Sequence, residues 1–230
     1  MLYYQAIYAL FFSTGWYFDC LCARCADKTE CGTFMSAYIC HGLKERELTE
    51  PDASCDSLME RQDICYGLVL ATNSTDHTTN YRCDSCGNVF ENNLINRVRN
   101  EVENELKKTS KTDLFELEKL LEVNKSFLYS SHSIILAIKR HIIYIYGRNP
   151  EVCMNFCKEL LGVYDVVLPG LTKERGLTMY ELFVSCSQLG QAEQLLDLLK
   201  EAKQCLEHER EGTFEYEVRA KVNLILQYMI

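Results

Sequence analysis

Cysteine placement constrains this chain more than any other feature. Of thirteen cysteines, nine (Cys20, Cys22, Cys25, Cys31, Cys40, Cys55, Cys65, Cys83 and Cys86) lie before residue 87. Thiols at that density are either cross-linked to one another in an oxidising compartment or held by metal in a reducing one. Between residues 26 and 90 the chain otherwise consists of turns, polar inserts and short apolar runs such as YGLVLAT, too little apolar surface to hold itself up. A bound metal would supply what that core lacks.

The compartment decides between the two readings. The opening MLYYQAIYALFFSTGWYF is apolar, yet it has no basic n-region and no small-x-small cleavage site, and it is too short and broken to span a bilayer. The sequons at Asn73-Ser74-Thr75 and Asn124-Lys125-Ser126 are common in cytosolic chains and move the balance little. The expectation is therefore zinc, Zn2+, in a cytoplasmic and nuclear protein. A secreted disulfide protein is the rival, and an odd number of cysteines would leave it at least one unpaired thiol.

Two cysteine constellations carry the chemistry. Cys20-Leu21-Cys22-Ala23-Arg24-Cys25 is a C-x-C-x2-C stretch, whose short loops can bend three sulfurs around one ion at Zn–S distances of about 2.3 Å. A closed structural site takes four ligands, so the fourth must be Cys31, Cys40 or a residue outside the chain. The bland alternative, three buried thiols that merely pack, rarely needs such spacing. Cys83-Asp84-Ser85-Cys86-Gly87 is a knuckle whose glycine lets backbone amides approach the sulfurs. It is a half-match to the zinc-ribbon pattern C-x2-C…C-x2-C. Cys40, Cys55 and Cys65 are candidates for the other half, and His41 could replace a sulfur, although a histidine beside a cysteine is more often solvated.

From about residue 91 the apolar spacing becomes helical. Leu94, Val98, Val102 and Leu106 share one face of a helix ending in KKTSKTD; Leu114, Leu117, Leu121 and Leu128 continue the pattern. Ile134, Ile138, Ile142 and Ile145 mark a third helix, which stops at Tyr146-Gly147. Asn149-Pro150 supplies an N-cap and a first-turn proline for a segment running to about Leu161. After the Pro169-Gly170 break, KERGLTMYELFVSCSQLG and QAEQLLDLLKEAKQCLEHER read as an antiparallel pair joined at Gly190, and a last helix starts near Thr213. The fold class is mainly α: a small cysteine-rich, zinc-binding N-terminal region followed by a stack of paired helices like those of helical-repeat (TPR-like) proteins, without a consensus repeat signature.

Cys153, Cys157, Cys186 and Cys205 fall on these helices and read as small core residues rather than ligands. His132 and His141 have no nucleophile beside them, and EHEREGTFEYE reads as an exposed helix start rather than a metal site. A net charge of −9 and a pI near 5.1 make direct nucleic-acid binding a poor fit and favour protein or peptide partners on the helical region. No membrane partner is expected.

The stretch YFDCLCARCADKTECGTFMSAYIC resembles the post-SET segment of SET- and MYND-domain (SMYD) lysine methyltransferases of the arthropod type, where FxCxCxRCxDPTELGTxxSAxxC is typical. CYGLVLATN…YRCDSCG resembles the metal-binding insert that follows it. HSIILAIKRHIIYIYG, CKELLGVYDVVLPGLTKERGLTMYELF and LLKEAKQCLEHEREGTFE resemble, in order, the helical C-terminal domain of that family. The resemblance implies zinc held by Cys20, Cys22 and Cys25 together with a cysteine of the SET core. It implies that Phe18 stacks on the adenine of S-adenosylmethionine, with Trp16 and Tyr17 as weaker candidates near the lysine channel. It implies a second zinc on Cys40, Cys65, Cys83 and Cys86, and a histone or non-histone lysine as the substrate of a complete enzyme.

Three departures qualify the resemblance. Twenty-four residues separate Cys40 from Cys65 where the family has a short spacer, so Cys55 competes with Cys65. Cys31, a buried or spare thiol, stands where the family has leucine. The SET core is not found: there is no Asn-His-x-Cys, no GxG cofactor turn and no MYND finger. The expectation is thus a post-SET and C-terminal portion, truncated or degenerate, with no catalytic residue and no activity alone. It divides into an unassigned apolar stretch (1–15), a post-SET-like zinc segment (16–30), a cysteine-rich insert (31–90) and a helical domain (91–230). The alternative is a non-catalytic, zinc-stabilised protein-interaction module.

Overall fold

The computed structural model describes residues 23–48, 64–76, 78–145, 148–191 and 195–228. The chain is mainly α-helical and divides after Ile138 into two compact units. Among the described residues the first opens with a single helical turn, α1 (Ala23–Ala26), and then builds a four-stranded antiparallel sheet in the order β1-β2-β3-β4. Its strands are very short: β1 (Tyr38–Ile39), β2 (Leu68–Ala71), β3 (Tyr81–Cys83) and β4 (Val89–Phe90). Helix α2 (Cys40–Leu48) follows β1 directly.

Period-two alternation is visible only in β3, where Tyr81 and Cys83 are buried and Arg82 faces out. Register pairs Tyr38 with Val69, Val69 with Cys83, and Tyr81 with Phe90, so Cys83 enters the sheet beside the core. The free edge of β1 is covered by residues 127–129: Ile39 N–H donates to Phe127 C=O at 2.8 Å and Tyr129 N–H to Ala37 C=O at 3.1 Å. Gly42 permits that approach, since a Cβ there would stand 2.3 Å from the Ser126 carbonyl oxygen.

Two amphipathic helices complete the unit's scaffold. In α3 (Asn92–Lys108) Leu94, Ile95, Val98, Val102 and Leu106 are buried in one stripe, with Lys107 and Lys108 in the last turn where the helix dipole favours cations. Helix α4 (Leu114–Asn124) is capped by Asp113, whose carboxylate accepts the Glu116 N–H at 3.1 Å. Just before the next helix, His132 is 2 % exposed, its Nδ1 accepts the Ile134 N–H at 3.2 Å, and its ring lies edge-on to Tyr38. Burial first, and the Arg99 charge second, pull His132 down to about 3 from its ordinary 6.5.

Helix α5 (Ser133–Ile143) carries the chain across the division. In the second unit Asn149 caps α6 (Pro150–Val167), its Oδ1 accepting the N–H groups of Glu151 and Val152. The helix runs past Leu161 to Val167. Its last turns contain β-branched valines with weak helix propensity, and burial of Val163, Tyr164 and Val167 outweighs that preference. Helices α7 (Lys173–Gln188) and α8 (Leu196–Cys205) are antiparallel, because Gly176 at the start of α7 meets Cys205 and Leu206 at the end of α8. Helix α9 (Phe214–Tyr228) closes a core of Leu177, Phe183, Leu199, Leu206, Val218, Val222 and Leu226. Cys153, Cys157, Cys186 and Cys205 are all buried in this unit. Among the described residues no helix is long and apolar enough to cross a membrane.

Candidate metal centre

The sheet brings four cysteines together. Backbone bonds from Cys40 N–H to Gly67 C=O (3.0 Å) and from His41 N–H to Cys65 C=O (2.9 Å) tie the start of α2 to the loop before β2. That loop is tied in turn to the knuckle: Asp84 N–H donates to Leu68 C=O at 2.9 Å, and the Asp84 carboxylate accepts the Leu68 N–H at 2.8 Å. The knuckle itself turns on Gly87, at φ +75°, whose N–H donates to Cys83 C=O at 3.2 Å.

The Sγ atoms of Cys40, Cys65, Cys83 and Cys86 consequently lie within 4.8 Å of one another. Cys40 and Cys86 are 3.6 Å apart and Cys65 and Cys83 are 3.7 Å apart, and all four thiols are free. A disulfide would need about 2.05 Å. Four sulfurs around one zinc at about 2.3 Å would be separated by about 3.8 Å along each tetrahedral edge. Two opposite edges of the cluster therefore match a tetrathiolate cage, and the donor set suits zinc.

Electrostatics within the cluster differ from thiol to thiol. The Gly67 N–H, donating to Cys65 Sγ at 3.4 Å, draws that thiol down to about 7. Burial, followed by the neighbouring Cys86 and Cys83 sulfurs, pushes Cys40 up, and burial raises Cys83. Four adjacent thiolates repel one another, so only a cation makes full deprotonation favourable. Gly67 is essential to the geometry: a Cβ there would fall 2.6 Å from Cys83 Sγ and 2.4 Å from Ser85 Cβ. In the sequence the one signal for Gly67 is a glycine two residues after Cys65.

His41 is turned away, its Nε2 3.3 Å from a Glu45 carboxylate oxygen and its ring edge-on to Tyr66. Of the C-x-C-x2-C stretch, Cys25 is described and half-buried, and its carbonyl accepts the Ser74 hydroxyl at 2.8 Å. Cys20 and Cys22, Cys55, and the cofactor candidates Trp16, Tyr17 and Phe18 lie outside the described residues. Cys31 is exposed rather than buried, in a turn where Glu30, Cys31 and Phe34 have positive φ. Asp27 ties that turn, its carboxylate accepting the N–H groups of Thr29 and Cys31, and these donors lower its pKa.

Two curated proteins are distantly similar to the chain. The chain is 26% identical over 132 residues to the SET domain-containing protein SmydA-8 of Drosophila melanogaster, isoform B, a match covering 56% of this chain and 25% of that protein. Isoform A matches over the same length at the same identity, with 24% of its length covered. The similarity to these SmydA-8 proteins is distant. The chain spans about a quarter of the length of these SmydA-8 relatives. No protein-family model matches the chain.

Proposed function

We propose that this chain is the zinc-anchored post-SET and C-terminal helical portion of a SMYD-like, S-adenosylmethionine-dependent protein-lysine methyltransferase. The observation that carries the reading is the cluster of four sulfurs within 4.8 Å of one another, on a chain similar to a SET domain-containing SmydA protein. Cys40, Cys65, Cys83 and Cys86 would hold one zinc. With four protein sulfurs and no open position, that metal serves structure and not catalysis. It ties α2, the loop before β2 and the β3–β4 turn together across a sheet whose strands are two to four residues long. Cys20, Cys22 and Cys25 would hold a second zinc with a fourth ligand from elsewhere. Phe18 would face the adenine of the methyl donor, and Trp16 and Tyr17 the substrate lysine. In a complete enzyme the methyl-transfer step would depend on this segment for cofactor contact and exclusion of water.

A second reading, a zinc-stabilised protein-interaction module, is favoured by a cavity of about 490 Å3 between α6 and α7, lined by Met154, Lys158, Leu182, Cys186 and Leu195. Calorimetric titration of the zinc-loaded chain with S-adenosylmethionine separates the two. Weak binding that is lost in Phe18→Ala supports the methyltransferase reading; no binding in a zinc-replete chain refutes it and leaves the interaction module.

A further inference from the structure

The four clustered thiols are not equivalent. Cys65 Sγ accepts the Gly67 N–H at 3.4 Å, and Cys83 Sγ accepts the Cys86 N–H at 3.5 Å. Among the described residues no backbone N–H reaches the sulfurs of Cys40 and Cys86, which are 3.6 Å from each other. An N–H donor withdraws charge from a thiolate and makes it a poorer nucleophile. Access to solvent differs as well: Cys86 is exposed, Cys65 is half-buried, and Cys40 and Cys83 are buried. Cys86 thus combines exposure with an undamped sulfur, and its nearest sulfur neighbour, Cys40, is undamped too.

From this asymmetry we infer that Cys86 is a thiol-oxidation site, and that attack on it by a peroxide closes a Cys40–Cys86 disulfide and releases the metal. The inference rests on the zinc reading above. The Cys86 sulfur takes one oxygen from hydrogen peroxide as the O–O bond breaks and hydroxide leaves, giving a sulfenic acid. The Cys40 thiolate then displaces hydroxide from that sulfur and forms the S–S bond. Two thiolates have lost two electrons, one peroxide has become two hydroxides, and Zn2+ keeps its charge. Cys65 and Cys83 alone cannot complete a four-ligand cage, so the ion departs. The Cys65–Cys83 pair, with its N–H donors, oxidises later.

The test uses the full chain loaded with zinc, titrated with hydrogen peroxide in the presence of a chromogenic zinc chelator, then alkylated and peptide-mapped without reduction. The first disulfide should be Cys40–Cys86, with one zinc released for each such bond, and a thiol reductant plus zinc should restore the starting state. In Cys31→Ser, which removes an exposed thiol outside the cluster, the release rate should be unchanged. A zinc-loaded chain that first joins Cys65 to Cys83, joins any of the four to Cys31 or Cys55, or releases metal several-fold more slowly in Cys31→Ser overturns this inference alone. A chain that holds no zinc before peroxide is added overturns the metal reading beneath it.

Discussion

Gly67→Ala is the substitution with the most to say about the cluster. Gly67 does not need glycine for its backbone angles, so the cost of the added methyl is steric. The new Cβ would stand 2.6 Å from Cys83 Sγ, 2.4 Å from Ser85 Cβ and 2.9 Å from Asp84 Oδ1. Carbon and sulfur in contact sit about 3.5–4.0 Å apart, so Cys83 must retreat by about 1 Å. Metal–ligand distances tolerate only about 0.2 Å. Overpacking of this kind costs about 1–3 kcal/mol, and zinc affinity should fall by at least about tenfold as the knuckle is pushed off the cage. Gly162→Ala is the control: nothing lies within 4 Å of its Cβ, it sits inside α6, and the change should stabilise the chain by about 0.5–1 kcal/mol. Competition with a zinc chelator of known affinity reads the first effect, and thermal denaturation reads both. Wild-type zinc affinity in Gly67→Ala would refute the proposed cage.

Two further expectations follow from the scaffold. His132 is depressed to about 3 in the folded chain against 6.5 unfolded, so its contribution to stability is complete above about pH 6.5 and is lost as pH falls towards 3. Urea unfolding of His132→Leu should lack that part of the acid-side slope, up to about 1.4 kcal/mol per pH unit; an unchanged slope would count against burial of a neutral imidazole. Asn149→Ala removes the acceptor for two N–H groups at the start of α6 and should cost about 1 kcal/mol in thermal or urea unfolding, with zinc content untouched.

The helices were legible because their signals are local. Leu94, Val98, Val102 and Leu106 recur at helical spacing and are buried, and Asn149-Pro150 marks the start of α6. The end of α6 was less legible, since Val163, Tyr164 and Val167 gain their stability from tertiary burial rather than propensity. The sheet left almost no trace: strands of two to four residues are too short to display alternation, and β1 finds its partners at Val69 and Leu128. At the cluster, the Cys83-x2-Cys86 knuckle was plain, while the association of Cys40 with Cys65 depends on backbone bonds across twenty-four intervening residues that spacing alone does not encode. The steric role of Gly67 exists only once the knuckle has folded over it.

The cluster is tested most directly by zinc X-ray absorption on the full chain carrying Cys20→Ser, Cys22→Ser and Cys25→Ser, which isolates it from the other thiol constellation. One zinc per chain with four sulfur neighbours at about 2.3 Å is the expected result. A chain that takes up no zinc, or a zinc shell with fewer than four sulfurs, would contradict the account.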